Sequence, residues 1–192
     1  MALCALNTDS ILAVVLAGGQ SSRMGQNKAL RYAPRFKNTM IAHCWKMLAQ
    51  IDGAQVVVSG DQHLNGIADI YSHRGPLSGI HAVLQNIDGQ SSIQELLFVP
   101  VDMPNLSFVT LNELVLFGRK HHSAAYLNNC FLPCYLPYTA KVINIVTEQI
   151  ERSQNWSIKA LMTQLSAQSL ICDKYDELIN VNEPQTWDLH CS

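Results

Sequence analysis

The apolar residues of this chain alternate between two kinds of spacing. Uninterrupted runs rich in β-branched residues are typical of strands buried on both faces of a sheet, and they occur at 11–16, 56–58 and 96–101. Between these runs, apolar residues recur at the spacing that places them on one face of a helix. This recurrence predicts helices near 40–51, 77–87, 108–117, 139–152 and 157–165, and a short terminal helix after Pro184.

Shorter apolar stretches predict further strands at 67–71, 124–127, 131–136 and 169–172. Strands that alternate with helices favour a parallel sheet covered by helices. We therefore predict an α/β fold, a single three-layer domain with a mainly parallel central sheet and helices on both faces. A length of 192 residues leaves no room for a second large domain, so we expect one domain over 1–192, its core at about 10–190.

Composition and charge argue against a disordered, a nucleic-acid-binding or a membrane-spanning protein. Apolar residues make up 48% of the chain and charged residues 15%, which excludes an intrinsically disordered protein. The net charge is −2, without the basic excess of a nucleic-acid binder, so we expect no nucleic-acid partner. The start of the chain does not look like a signal peptide, and the longest apolar run, Ile11 to Ala17, is far shorter than the roughly 20 residues of a membrane span. We expect a soluble, cytoplasmic protein with no membrane partner.

The six cysteines give no sign of a metal centre or a disulfide framework. Only Cys130 and Cys134 are close in sequence, and no second cysteine pair follows at the spacing of a zinc site. A domain of this size does not need disulfides for stability. We expect ordinary reduced thiols.

The residues that follow the first strand are rich in groups that bind phosphate. Ligands of parallel sheets bind at the carboxyl ends of the strands. There, the segment 16–28 contains Gly18, Gly19, Arg23 and Lys28. Glycine lets backbone N–H groups approach an anion, arginine grips phosphate oxygens through its fork, and lysine supplies a compact charge. The spacing fits neither the dinucleotide nor the Walker pattern, so an ordinary surface loop is the alternative at this point.

Three more segments at strand or helix boundaries are candidates for the same site. Asp102 directly follows the run 96–101, where a carboxylate is placed to hold Mg²⁺ against phosphates; a turn or N-cap aspartate is the alternative. The segment 74–79 leads into a helix and could present backbone groups to a base or ribose, or simply start that helix. The segment 180–184 places Asn180, Asn182 and Glu183 before the terminal helix, and a helix cap is its alternative.

Taken together, these segments resemble a known family. The first, LAGGQSSRMGQNKAL, is similar to the signature loop of sugar-phosphate-type nucleotidyltransferases. With RGPLSGI, FVPVDMP and INVNEP, the chain resembles most closely the molybdenum cofactor guanylyltransferases, the MobA family, from about Ile11 to Leu189. The resemblance implies a Rossmann-like nucleotidyltransferase fold. It implies an enzyme that uses Mg²⁺ to join GMP from GTP to molybdopterin and releases pyrophosphate, and it implies further contact with proteins of molybdoenzyme maturation.

The resemblance also assigns residues to roles. Arg23, Lys28 and Asp102 would be catalytic, with Asp102 also holding the metal. Asn182 would approach the metal and the acceptor. The nucleotide would be bound by Leu16, Ala17, Gly18, Gly19, Arg23, Lys28, Gly75, Pro76, Leu77 and Asp102.

The chain departs from the family pattern at several positions. Asn27 stands where the family usually has an acid, Ser59 replaces a frequent asparagine, and Leu132-Pro133 replaces a frequent His-Pro pair. Ser72-His73 stands where we expect an aspartate, so we predict that this acid is missing. These departures leave open a relative that uses another nucleotide or acceptor. They also leave open a degenerate protein that binds nucleotide or cofactor without turnover, although the presence of Arg23, Lys28 and Asp102 together argues against it.

Overall fold

A computed structural model describes residues 11–18, 28–60, 65–87, 92–128 and 130–192. Within these ranges a six-stranded sheet forms the centre of the molecule. Its strands are β1 (Ile11–Leu16), β4 (Ala54–Ser59), β5 (Glu95–Pro100), β6 (Ala125–Leu127), β7 (Cys130–Pro137) and β8 (Gln168–Leu170). Two very short strands, β2 (Tyr32–Ala33) and β3 (Asn38–Thr39), pair separately with each other.

The sheet has the order β4-β1-β5-β7-β6-β8 and is mainly parallel, as the sequence predicts. Strand β7 alone runs against its neighbours β5 and β6, whereas β1 is parallel to both β4 and β5. The register aligns the last residue of β1, Leu16, with Ser59 of β4 and Pro100 of β5. Three strands therefore end at the same edge of the sheet, and the loops that leave them start side by side.

Six α-helices cover the two faces of the sheet. They are α1 (Met40–Leu48), α2 (Pro76–Asn86), α3 (Phe108–His121), α4 (Ala140–Arg152), α5 (Ile158–Gln164) and α6 (Pro184–Cys191). Successive residues of β1 point to opposite faces, so Ala13 and Val15 pack with α1, α3 and α6, while Val14 and Leu16 pack with α2, α4 and α5. The predicted helical layers on both faces are confirmed. No described helix is both long and apolar enough to cross a membrane.

Most predicted elements are confirmed to within a few residues, and their caps explain where they begin. Ser107 accepts a hydrogen bond from the backbone N–H of Thr110 and so caps the predicted helix α3 at its amino end. Thr139 and Ser157 cap α4 and α5 in the same way. Five cysteines, at 44, 130, 134, 172 and 191, are described as free thiols.

The predicted strand at 67–71 is wrong. Only Ile67 pairs with the sheet there, through a single parallel bridge to Ser59 at the end of β4. Beyond Ile67 the chain leaves the sheet and forms a loop, which we name the wall loop (68–75), before α2 begins at Pro76. The polar residues Asp69, Ser72 and His73 interrupt the apolar pattern, so there is no continuous face for a strand to bury.

Candidate active site

A cleft of about 940 Å³ opens at the carboxyl ends of β1, β4 and β5. Its lining comes from the segments that follow β1, β4 and β5, and also from the wall loop, β7, the start of α5 and the chain before α6. A volume of this size suits a nucleotide together with part of a second substrate. The position is the one that the parallel sheet predicts for a ligand site.

The floor of the cleft is closely packed backbone. Gly60 has a φ of +95°, and a Cβ added to it would lie 2.4 Å from the Cα of Gly18. A Cβ on Gly18 would in turn lie 3.2 Å from the Cα of Gly60 and 3.7 Å from a carboxylate oxygen of Asp69. The backbone N–H of Ala17 donates to the carbonyl of Ser59, and that of Gly60 donates to the carbonyl of Ile67. The two glycines therefore allow three loops to meet, and Asp69 lies where they do.

Asp102 lies on the next wall, beyond the end of β5. The backbone N–H of Val101 donates to the carbonyl of Leu16, and the backbone N–H of Val181 donates to the carbonyl of Asp102. The second bond ties Asp102 to the segment that carries Asn180 and Asn182, and all three of these residues line the cleft. Burial and the nearby charge of Asp102 raise the pKa of the Cys44 thiol to about 12. This thiol therefore stays protonated near neutral pH.

The amino end of α2 forms a third wall. Gly75, with φ 62° and ψ −154°, precedes Pro76 at the first position of the helix, and both residues line the cleft. Nothing lies within 4 Å of a Cβ added to Gly75, so the cleft is open at this point. Gly79, one turn further, packs so closely on β4 that its Cβ would lie 2.8 Å from the hydroxyl oxygen of Ser59. Because Gly75 and Pro76 line the cleft, the amino end of α2 and the positive end of its dipole face the cleft.

An apolar rim completes the cleft at its far side. It consists of Cys130, Phe131 and Leu132 from β7 and Ile158 from the first turn of α5. Planar ligands are held by walls of this kind, because apolar side chains contribute contact area without competing for hydrogen bonds. The cleft thus combines a polar, glycine-lined half with an apolar half.

The structure brings together most of the residues that the sequence singles out. Leu16, Ala17, Gly18, Gly75, Pro76, Asp102 and Asn182 all line the cleft. Leu77 does not line it, because its side chain is fully buried in the core between α2 and the sheet. Gly19, Arg23 and Asn27 lie outside the described residues, and of Lys28 only the backbone, at the start of a short 3₁₀ helix (Lys28–Leu30), is described. Ala29, the next residue, lines the cleft.

Asp69 lines the cleft but is not among the residues that the sequence singles out. The sequence predicts that an acid is missing before Gly75, whereas Asp69 stands six residues before Gly75. The error follows from the wrong strand at 67–71, which would have placed this residue in the sheet. Partial burial raises the pKa of the Asp69 carboxyl above its usual range. The general rule that ligand sites form at the carboxyl ends of parallel strands could have pointed to Asp69. Gly60 follows β4, and the chain that returns to it at Ile67 leads directly to Asp69.

Comparison with known proteins identifies the family. A sequence model of the MobA-like NTP transferase domain matches residues 13–141, about two thirds of the chain. The chain belongs to this family. Molybdenum cofactor guanylyltransferase of Xanthomonas euvesicatoria is 34% identical over 178 residues, which cover 91% of this chain and 90% of that protein.

Solved structures support the same fold at lower identity. Molybdopterin-guanine dinucleotide biosynthesis protein A from Archaeoglobus fulgidus superposes with a TM-score of 0.74 at 18% identity, covering 94% of this chain and 96% of that one. A 4-diphosphocytidyl-2C-methyl-D-erythritol synthase from Anaerococcus prevotii superposes with a TM-score of 0.67 at 9% identity, covering 95% and 96%. MobA-like chains therefore share this architecture with an enzyme whose name refers to a cytidyl group, so the fold does not determine the base.

Proposed function

We propose that this protein transfers GMP from GTP to molybdopterin with release of pyrophosphate, and so makes the guanine dinucleotide form of molybdenum cofactor. The observation that carries the proposal is the near full-length similarity to a molybdenum cofactor guanylyltransferase. The geometry supports it, because backbone suited to phosphate and the Asp102 carboxylate follow adjacent, aligned strands and line one cleft.

The glycine-lined floor and the amino end of α2 suit the triphosphate. Backbone N–H groups near Gly18 and at the first turn of α2 would donate to phosphate oxygens, and no side chain at Gly75 obstructs their approach. We assign Arg23 and Lys28 to the same phosphates, because the family resemblance places them there and their charges would offset those of the leaving pyrophosphate.

Asp102, Asn180 and Asn182 fit a divalent cation of the Mg²⁺ type. Their side chains offer oxygen ligands, which hard cations prefer. The described ranges contain no group of three or more His, Cys, Asp or Glu side chains that could hold a metal, so an all-protein cage is not built from them. This arrangement suits Mg²⁺, which takes one or two carboxylates and completes its shell with phosphate and water. When bound, the ion would neutralise charge on the phosphates.

The reaction needs positioning more than covalent help from the protein. A terminal phosphate oxygen of the acceptor attacks the α-phosphorus of GTP, the bond from that phosphorus to the oxygen bridging the α- and β-phosphates breaks, and pyrophosphate leaves with the bonding electrons. Catalysis of such a transfer consists mainly of alignment and charge neutralisation. The glycine-lined floor, the amino end of α2 and the side chains of Arg23 and Lys28 would hold GTP. Asn182 and the apolar rim would hold the acceptor.

Asp69 supports guanine as the base. The Watson–Crick edge of guanine carries two neighbouring N–H donors, on N1 and on the exocyclic amine, and a carboxylate accepts both at once. Asp69 lies beside Gly18 and Gly60, at the side of the cleft next to the α2 amino end. Adenine presents only one donor on that edge together with a ring acceptor, which a carboxylate repels.

A panel of nucleoside triphosphates tests the proposed donor. Thermal unfolding is followed with GTP, ATP, CTP and UTP, each with and without Mg²⁺, because a ligand that binds only the folded state raises its stability. We expect the largest rise in Tm with GTP and Mg²⁺, and pyrophosphate release once molybdopterin is added. A larger rise with CTP would overturn the guanine assignment, and binding of GTP without pyrophosphate release would favour a protein that binds without turnover.

A further inference from the structure

The wall loop (68–75) carries four of the residues that line the cleft. Asp69, Ser72, His73 and Gly75 all line the cleft from this loop. Among the described residues, no backbone hydrogen bond joins positions 68–74 to the rest of the chain; the nearest such bonds are at Ile67 and at Gly75. A loop without backbone support depends on its side chains for a fixed position.

Arg74 provides the most extensive of these side-chain contacts. Its guanidinium lies over the ring of Tyr71, 4.4 Å from the centroid, and over the ring of Trp156, 4.9 Å from the centroid. Its Nη1 donates a hydrogen bond to the backbone carbonyl of Ile150, in the last turn of α4. Carbonyls in a last turn lack partners within the helix, and the end of the helix dipole there favours a cation. The side chain of Arg74 therefore joins the wall loop to the end of α4 and to Trp156, in the connection between α4 and α5.

The contacts of Arg74 connect the wall loop with the chain that leads into the apolar rim. Ser72 and His73 precede it in the wall loop, and Ile158, two residues beyond Trp156, lines the apolar rim on the other side. Tyr71 adds a second link, because its hydroxyl donates to the carboxylate of Glu151 with a distance of 3.2 Å. Arg74 itself does not line the cleft, so it acts on the site only through the loop.

We propose that Arg74 is a positioning residue that fastens the wall loop to the end of α4, and that this fastening sets the affinity of the site for its nucleotide. The second half of the proposal rests on the proposed function; the first half does not. A loop that adopts its binding conformation only part of the time weakens the apparent affinity by that fraction. Loss of the two ring contacts and of the hydrogen bond would lower that fraction, while Asp102 and the glycine-lined floor stay in place.

Three measurements on three variants test the proposal. The test variant is Arg74→Met, which keeps the length of the side chain and removes its charge and donors. The matched control is Arg152→Met, because Arg152 is an exposed arginine at the end of the same α4 helix. Arg74→Lys keeps a charge and a donor but cannot stack as a planar group between two rings. Hydrogen exchange of the amides at 69–75 is measured on the free proteins, followed by GTP binding with Mg²⁺ and by kcat and KM for GTP.

We expect faster exchange at 69–75 in Arg74→Met, with unchanged exchange in the strands, and roughly tenfold weaker GTP binding. KM for GTP should rise by the same factor while kcat changes little, a split that general destabilisation would not produce. Arg74→Lys should fall in between, and Arg152→Met should match the parent.

Unchanged exchange at 69–75 in Arg74→Met would overturn the fastening, whatever the nucleotide results. Faster exchange with unaltered GTP affinity would overturn the link to the site. If the parent protein itself binds no GTP, the proposed function fails, and the exchange data still decide whether Arg74 fastens the loop. Should Arg74→Met not fold, Arg74→Lys gives the same two comparisons.

Discussion

In the proposed reaction, Asp102 is the residue on which the chemistry of the cleft most depends. It follows β5 by two positions, and its backbone is held on one side through Val101 to β1 and on the other through Val181. The side chain is half-buried, so it can reach a ligand without being part of the core. A carboxylate held in this way is already in position before the cation and the phosphates arrive.

We therefore expect Asp102→Asn to lower turnover at limiting Mg²⁺ by about 100-fold or more, because metal stabilisation of several kcal/mol is lost. The melting temperature should change little. Steady-state pyrophosphate release over a range of Mg²⁺ concentrations measures this, with Asp173→Asn, at an exposed position, as the control. Near-normal turnover of Asp102→Asn would show that another group holds the metal.

Side chains added at Gly60 or Gly18 should disturb the floor of the cleft. Gly60→Ala forces a side chain into a φ of +95° and against the backbone of Gly18, so we expect a loss of stability of about 2 kcal/mol or more and weaker GTP binding. Gly18→Val should abolish GTP binding, since its branches would press on Gly60 and Asp69. Gly53→Ala is the control, because its φ of 70° gives similar strain before β4, away from the cleft. Chemical denaturation and GTP titration of the three variants give the comparison; equal loss of affinity in Gly53→Ala would make the effect one of stability alone.

Asp69 is predicted to select the base. Asp69→Asn replaces one acceptor oxygen with an NH₂ donor, which would face the donors of guanine. We expect KM for GTP to rise roughly 10- to 100-fold and the preference for GTP over ATP to shrink, as judged from kcat/KM for each nucleotide. Asp52→Asn, an exposed substitution in the turn before β4, should leave both values unaltered. An unchanged preference in Asp69→Asn would remove Asp69 from base recognition.

At the scale of the elements, long apolar runs and capped helices could be predicted from sequence, whereas short connections could not. The run 11–16 contains only apolar residues and is buried throughout as β1, and Ser107 marks the start of α3. The strands β2 and β3 have two residues each, too few for any periodicity to show. The stretch 67–71 contains enough apolar residues to suggest a strand, yet only Ile67 bridges to β4 and the rest forms a loop. Arg74 and Trp156 are separated along the chain by α2, β5, α3, β6, β7 and α4, so no local pattern reports their contact.

Helix α2 carries a histidine that makes stability depend on pH. His81 is 4% exposed, contacts the ring of Tyr71 at 5.3 Å, and its Nδ1 has no hydrogen-bond partner within the described structure. Burial lowers the pKa of His81, the charge of Arg74 lowers it further, and Glu151 opposes both. Because the folded protein resists protonation at His81, the unfolded chain binds more protons below about pH 6.5, and stability falls as the pH drops below that value.

His81→Gln should accordingly flatten the decline in stability between about pH 6.5 and pH 5. Urea unfolding at a series of pH values measures the slope, with His121→Gln, at an exposed position, as the control. His43 contributes a separate decline, since burial also lowers its pKa. A pH slope in His81→Gln that equals that of the parent would show that His81 takes up its proton without disturbing the fold.

At the scale of the whole molecule, the cleft is assembled from both ends of the chain. The family match covers 13–141, but Ile158, Asn180 and Asn182 line the cleft from beyond that range. The hydrogen bond from Val181 to Asp102 joins this later part to the family core. The lining of the cleft could be predicted from sequence where residues directly follow strands, as at Gly18 and Asp102, and not where it depends on how the last 50 or so residues return to the sheet edge.

The fate of the α-phosphate of GTP shows whether GMP is transferred to molybdopterin. The protein is incubated with GTP labelled at the α-phosphate, Mg²⁺ and molybdopterin, and the label and the pyrophosphate are counted. We expect the label in a molybdopterin guanine dinucleotide, with one pyrophosphate released for each label transferred, and little transfer by Asp102→Asn. Label that stays in GTP while GTP remains tightly bound, or that transfers only from CTP, would contradict this expectation.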